Sequence, residues 1–274
     1  MQRPSFDKEY LFKELDKLSS KILIPVNLFM IGGAALISYG LKEATKDIDV
    51  VLQNPDELNA LINALKKLEY RNPIPIEITR PYRMMRTNEI LENKGGFRWD
   101  IFDRQVCDAL TFSSEMKSRG TVFYTKGTIK IILASKEDIF LFKGVTEREA
   151  DLEDMRLLAE SGLNWKTIEQ ECRNQSVSSG RLWENALYER LIDLKTKHKI
   201  ESPIERSLKA TLEEKLIEIT LTEAIKKGNN TVKTISQAAN QPEHFIRESL
   251  KKMEKKGRIK VNKTSRPYKF TLNP

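Results

Sequence analysis

The segment Phe29–Leu52 leaves this chain the fewest choices of fold. An apolar run ends on Gly32-Gly33, a short Ala-Leu-Ile stretch follows, and Asp47-Ile48-Asp49-Val50 comes next. Residues two apart on a strand point to one side, so Asp47 and Asp49 share a face while Ile48 and Val50 pack on the other. Two carboxylates that close repel each other, and a strand gains nothing from them unaided. A divalent cation between them turns repulsion into coordination, and carboxylate oxygens completed by phosphate oxygens suit Mg²⁺. Gly32 and Gly33, between a strand and a helix start, permit a sharp turn and let an anion approach main-chain N–H groups. Either motif alone is commonly a turn or a solvent-facing Asp-x-Asp. Their order, separation and strand context together are more specific.

The surrounding pattern predicts alternating elements. Helices are expected at Asp7–Lys21, Ala34–Leu41 and Pro55–Leu68, and strands at Ile24–Ile31, Thr45–Leu52, Ile74–Thr79 and Gly96–Phe102. Thr121–Tyr124 and Thr128–Leu133 flank Thr125-Lys126-Gly127 as a hairpin, and Ser135, with Asp138 three residues on, reads as a helix cap. From Asp151 the chain reads as almost wholly helical to Lys227. The expected class is α+β: a mixed sheet with flanking helices over 1–160, a helical connector over 161–205 and, over 206–274, a domain of helices and a hairpin resembling a winged helix.

The first motif resembles the signature of the DNA polymerase β-type nucleotidyltransferase superfamily, an apolar residue and Gly-Gly followed, after a spacer, by Asp-apolar-Asp-apolar. Gly33-Ala34-Ala35, Tyr39-Gly40 and Thr45–Asp49 are similar to the minimal prokaryotic and archaeal nucleotidyltransferase-like proteins, including the abortive-infection members of type IV toxin–antitoxin pairs. Lys143, Arg148, Asp151 and Asp154 match a later segment of those proteins in order. The resemblance spans roughly Phe29–Leu158 and implies a Mg²⁺-dependent transfer of a nucleoside monophosphate from an NTP to an acceptor hydroxyl. Asp47 and Asp49 would hold the metal, and Gly32 and Gly33 would face the phosphates. The superfamily's third carboxylate falls on Asp100, which alternates with apolar neighbours, ahead of Asp103 at a strand end; it would be metal ligand and base. Lys143 either reaches the triphosphate or is a surface lysine whose stem covers apolar neighbours. Arg148, Asp151 and Asp154 read as a structural ion-pair cluster. Arg80, Arg83 and Arg86 form a basic loop, either solvated or contacting an acceptor.

Charge is distributed unevenly. The chain carries a net +8, yet 206–274 holds 16 Lys and Arg against 7 Asp and Glu, leaving the rest close to neutral. Such asymmetry is the footprint of a module for polyanions. Leu216–Ile225, Thr231–Asn240 and the helix after Pro242 precede Arg258–Asn262 and Tyr268–Leu272, and three helices with a hairpin in that order resemble a winged helix. Arg247, Lys251, Lys252 and Lys255 on the last helix, with Arg258, Lys260, Lys263 and Arg266 on the wing, are the candidate nucleic-acid contacts. Winged helices also serve as protein-interaction and dimerisation modules, so a protein partner encoded nearby and a homodimer stay open beside DNA or RNA.

With 39% hydrophobic and 31% charged residues, the 274-residue chain is globular rather than disordered. Its apolar stretches are too short to span a membrane, and its start lacks the apolar core of a signal peptide. Cys107 and Cys172 lie far apart in no metal or redox spacing, and His198 and His244 have no partner at ligand spacing. A reduced, cytoplasmic protein is expected. Two functions compete: an active nucleotidyltransferase, and a DNA-binding regulator or antitoxin-like protein whose nucleotidyltransferase fold no longer catalyses.

Overall fold

Local chemistry explains where the first elements begin. In the computed structural model, which describes residues 3–74, 87–146, 148–264 and 266–273, the apolar run Val26–Ile31 is a strand with all but Asn27 buried. The side chain of Asn54 accepts from the amide of Asp56, and Pro55 opens the following helix. Ser135 caps the helix after it by accepting from Asp138, as its sequence predicts.

The first half runs β1 (Phe6–Asp7), α1 (Lys8–Ser19), β2 (Val26–Ile31), α2 (Gly32–Ser38), β3 (Ala44–Thr45), β4 (Asp47–Leu52), α3 (Pro55–Lys67), β5 (Glu89–Glu92) and β6 (Arg98–Asp103). It continues with β7 (Gln105–Val106), β8 (Leu110–Thr111), α4 (Ser114–Arg119), β9 (Thr121–Lys126), β10 (Ile129–Leu133), α5 (Lys136–Gly144), α6 (Glu149–Glu160), α7 (Trp165–Ser179) and α8 (Trp183–His198). Six strands pair in the order β5-β6-β4-β2-β10-β9. The pairs β4–β6 and β2–β10 are parallel, whereas β2–β4, β5–β6 and β9–β10 are antiparallel. The sheet is therefore mixed and the class α+β, as expected. Apolar side chains from both layers, among them Leu15, Leu28, Met30, Ile48, Trp99, Ile101 and Phe140, are excluded from water.

Some elements depart from the sequence reading. Gly32 and Gly33 are the first residues of α2 rather than a turn before it. β5 and α4 were not expected, because a four-residue Glu-Ile-Leu-Glu strand and a six-residue helix are too short to show a period. The segments β1 and β3 also pair, Phe6 opposite Thr45. The hairpin between β9 and β10 turns at Gly127 and Thr128, with Gly127 in the left-handed region at φ +58°. Most of the expected strand Ile74–Thr79 lies outside the described residues, as do Arg80, Arg83 and Arg86.

Chain contacts divide the molecule after Glu205 into two units. The helices α7 and α8, expected as a connector, belong to the first. The second unit comprises α9 (Glu205–Lys226, from Arg206 on), α10 (Val232–Ala239), α11 (Glu243–Lys255), β11 (Ile259–Asn262) and β12 (Lys269–Leu272). Its own core gathers Leu221, Ile235, Ile246, Leu250, Met253, Ile259 and Phe270. Among the described residues no helix is long and apolar enough to cross a membrane.

Candidate active site

Strand β4 sets the site. Asp47 and Asp49 share one face of it, and in the parallel pairing with β6 Asp49 stands opposite Asp100 and Asp47 opposite Arg98. Neighbours in register take the same face, so Asp100 joins the two acids' side while Asp103, an odd step along, does not. Burial differs among the three. The Asp47 side chain is 21% exposed, Asp49 is 8% exposed and Asp100 is sealed at 1%. Among the described residues no three acidic, His or Cys side chains stand close enough to hold a metal ion by themselves.

Gly32 is demanded by its neighbour. Its φ is +65°, and a Cβ there would lie 1.9 Å from Oδ2 of Asp49. The carboxylate thus rests against bare backbone at the head of α2, a space that any side chain would fill. At Gly33 a Cβ would lie 2.5 Å from Oγ1 of Thr45. Burial pushes the Asp49 carboxyl up to about 7, and the neighbouring Asp47 adds to the rise, while Lys143 and Arg148 pull the other way.

Two cationic groups meet this face from distant parts of the chain. Nη2 of Arg3 donates to Oδ2 of Asp47 at 2.9 Å, and Nη1 donates to the Lys46 carbonyl at 3.4 Å. On the other side, a narrow recess of about 30 Å³ is bounded by Gly32, Asp49, Cys107, Lys143, Arg148 and Asp151. Lys143 is buried, with Nζ 2.6 Å from Oδ1 of Asp151 and 2.9 Å from Oδ2 of Asp154. Burial alone would lower its pKa, but the two carboxylates hold it above the ordinary lysine value. The surface-lysine reading of Lys143 is thereby corrected: apolar helix α5 and acidic helix α6 enclose its ammonium. Arg148 donates twice to Asp151, Nε to Oδ2 at 2.7 Å and Nη2 to Oδ1 at 2.9 Å, and Lys42 pairs with Asp154 at 2.6 Å. Arg148, Asp151 and Asp154 thus form the ion-pair cluster expected of them. Against the resulting cations the Asp151 carboxyl, which burial would raise, sits well below the usual range.

Sequence reasoning missed Arg3. No local spacing ties Arg3 to Asp47, 44 residues away; only the pairing of β1 with β3 brings them together. Cys107 adopts φ +56° in the turn between β7 and β8, and burial pushes its thiol up to about 12, so it is no nucleophile near neutral pH.

In the second unit the eight basic candidates are all exposed. Arg247, Lys251, Lys263 and Arg266 border a cleft of about 800 Å³ between α11 and the β11–β12 hairpin, whereas Lys252, Lys255, Arg258 and Lys260 lie outside it. Arg247 pairs with Glu243 at 2.8 Å and Lys263 with Glu254 at 3.4 Å. Lys256, at the end of α11, is held by Glu214 and Glu218 of α9.

A family model described as "Nucleotidyltransferase of unknown function (DUF6036)" matches residues 9–193. No curated protein matches the chain. The crystal structure of a candidate nucleotidyltransferase from H. pylori aligns over 90% of this chain and 99% of that one at 15% identity. Its TM-score of 0.33 is too low for the likeness to bear on fold or function.

Proposed function

Because the chain belongs to this nucleotidyltransferase family through residues 9–193, we propose that it moves a nucleoside monophosphate from an NTP to an acceptor hydroxyl at the Asp47–Asp49 face. One observation carries the reading. The Asp49 carboxylate is packed against Gly32 where no Cβ fits, and burial beside Asp47 pushes its pKa up to about 7. That is the electrostatic cost a bound cation relieves.

The donor chemistry fits Mg²⁺. Asp47 and Asp49 offer hard oxygens from one strand face, and Mg²⁺ takes one or two carboxylates with waters and substrate phosphates rather than a full protein cage. The lack of a three-residue cluster among the described residues accords with that habit. Bound there, the ion would supply charge neutralisation and orientation to the triphosphate. The protein's own residues do the rest. Gly32 keeps the head of α2 open to Asp49. Lys143, tied to Asp151 and Asp154, and Arg148, tied to Asp151, place positive charge beside Asp49. Asp100, in register with Asp49, is the proposed acceptor of the hydroxyl proton. Arg3 occupies Oδ2 of Asp47, so an ion there would take Oδ1 or displace the guanidinium.

A second reading has its own support. Arg3 on Asp47 and the sealed Asp100 suit a fold that holds a nucleotide or a partner without turnover. In that case the second unit, proposed as a winged helix that binds DNA or RNA, carries the function as a regulator or as one half of a toxin–antitoxin pair. Transfer of α-labelled NTPs, each of four in turn with Mg²⁺, to total RNA and to a cell lysate separates the two. Label transferred by wild type and absent with Asp47→Asn/Asp49→Asn is the expected result, both proteins being folded by circular dichroism. Absence of label with every NTP would sink the catalytic reading and leave the regulator.

A further inference from the structure

The cleft between α11 and the β11–β12 hairpin combines three properties. Its floor is apolar, formed by Leu250, Val261 and Phe270. On its rim Tyr268 is 40% exposed, whereas Phe270, which also lines the cleft, is buried. Around it stand Lys233, Lys251 and Arg266, all exposed, with no carboxylate in ion-pair reach among the described residues. The cleft's two acids, Glu243 and Glu254, are taken by Arg247 and Lys263.

We infer that this cleft holds an unpaired nucleotide of a single-stranded nucleic acid, with a base stacked on Tyr268 and its flanking phosphates on Lys251, Arg266 and Lys233. The inference rests on the nucleic-acid reading of the second unit and narrows it to single strands. Charge complementarity selects a polyanion, since the unpaired groups on the rim are all positive. The aromatic face selects a ligand with exposed bases: in a duplex both faces of each base are already stacked, whereas in a single strand they are free. Size agrees, because a cleft of about 800 Å³ lies in the roughly 300–1,000 Å³ range of cavities that enclose a small organic ligand.

Fluorescence anisotropy of the full chain with labelled 12-nucleotide single strands, of RNA and of DNA, and with the corresponding duplexes tests this without NTP or turnover. The expected result is tighter binding of a single strand than of its duplex. Tyr268→Ala should weaken single-strand binding roughly tenfold, in line with the loss of one base stack, while duplex binding is unchanged and Tyr268→Phe restores the single-strand affinity. The double variant Lys251→Ala/Arg266→Ala should flatten the salt dependence of log K by about 1.4, two phosphate contacts' worth. Preference for the duplex, or indifference to Tyr268→Ala in folded protein, overturns the single-strand inference alone. No binding of either form overturns the nucleic-acid reading with it, and neither outcome touches the label-transfer assay.

Discussion

The two units use charge in opposite ways. In the first, buried carboxylates are tied to buried or half-buried cations: Lys143 and Arg148 to Asp151, Lys42 and Lys143 to Asp154, Arg119 to Asp138 and Glu171. In the second, the basic groups are exposed, and those facing the cleft outnumber its acids. Buried pairs fix geometry, because each charge is strongly penalised once its partner moves. Exposed cations cost little and keep their long stems free, which suits a surface that meets a mobile polyanion. The contrast teaches that the same residue types position chemistry in one unit and collect a ligand in the other.

Breaking the buried network should have the largest effect. Asp151→Ala strands Lys143 and Arg148 without their shared carboxylate and should cost about 3–5 kcal/mol, read as a fall in Tm of roughly 10 °C by calorimetry. A loss below ~1 kcal/mol would erase the distinction between the units. Next, Leu250→Ala opens a cavity in the second unit's core, where Leu250 is 1% exposed, at a cost of about 2–4 kcal/mol. Hydrogen exchange should then rise across 206–273 while the amides of β2, β4 and β6 stay protected; equal loosening of both units would show that they do not fold independently.

A smaller effect sharpens the picture of Asp49. Its folded-state pKa is raised, to about 7, so between the unfolded value and that point the folded chain holds a proton that the unfolded one has released. Stability from this group is full below about pH 4, falls as pH rises and levels off above about pH 7. Without divalent cations, Asp49→Asn should therefore match wild type near pH 4 and have the higher Tm at pH 8. A variant less stable than wild type at pH 8 would mean that Asp49 is already compensated by Lys143 and Arg148. The smallest effect belongs to the exposed surface: Lys251→Ala should shift stability by less than ~0.5 kcal/mol, measured by urea unfolding. A larger loss would place Lys251 in the second unit's framework rather than at its ligand.

Much of this was legible from short patterns. The Asp-Ile-Asp-Val alternation, the Ser135 cap, the β9–β10 hairpin and the order of three helices and a hairpin near the chain's end all follow from spacing within a few residues. The short β5 and the β1–β3 pairing were not legible, because a strand of two to four residues owes its existence to the neighbour it bonds. The burial of Lys143 was equally hidden, since its partners stand on the next helix and only packing decides whether they turn toward it.

By itself, then, the sequence determined that Asp47 and Asp49 share a face, that two glycines stand between the apolar strand and the helix before them and that positive charge collects in the last quarter of the chain. These are matters of local period and composition, which hold in any fold the segment joins. Tertiary structure alone decided that Asp100 lies in register with Asp49, that Arg3 reaches Asp47, that Gly32 has no room for a Cβ and that four of eight basic candidates ring one cleft. Each of those is a meeting of residues far apart in the chain, set by strand order and by the packing of whole elements.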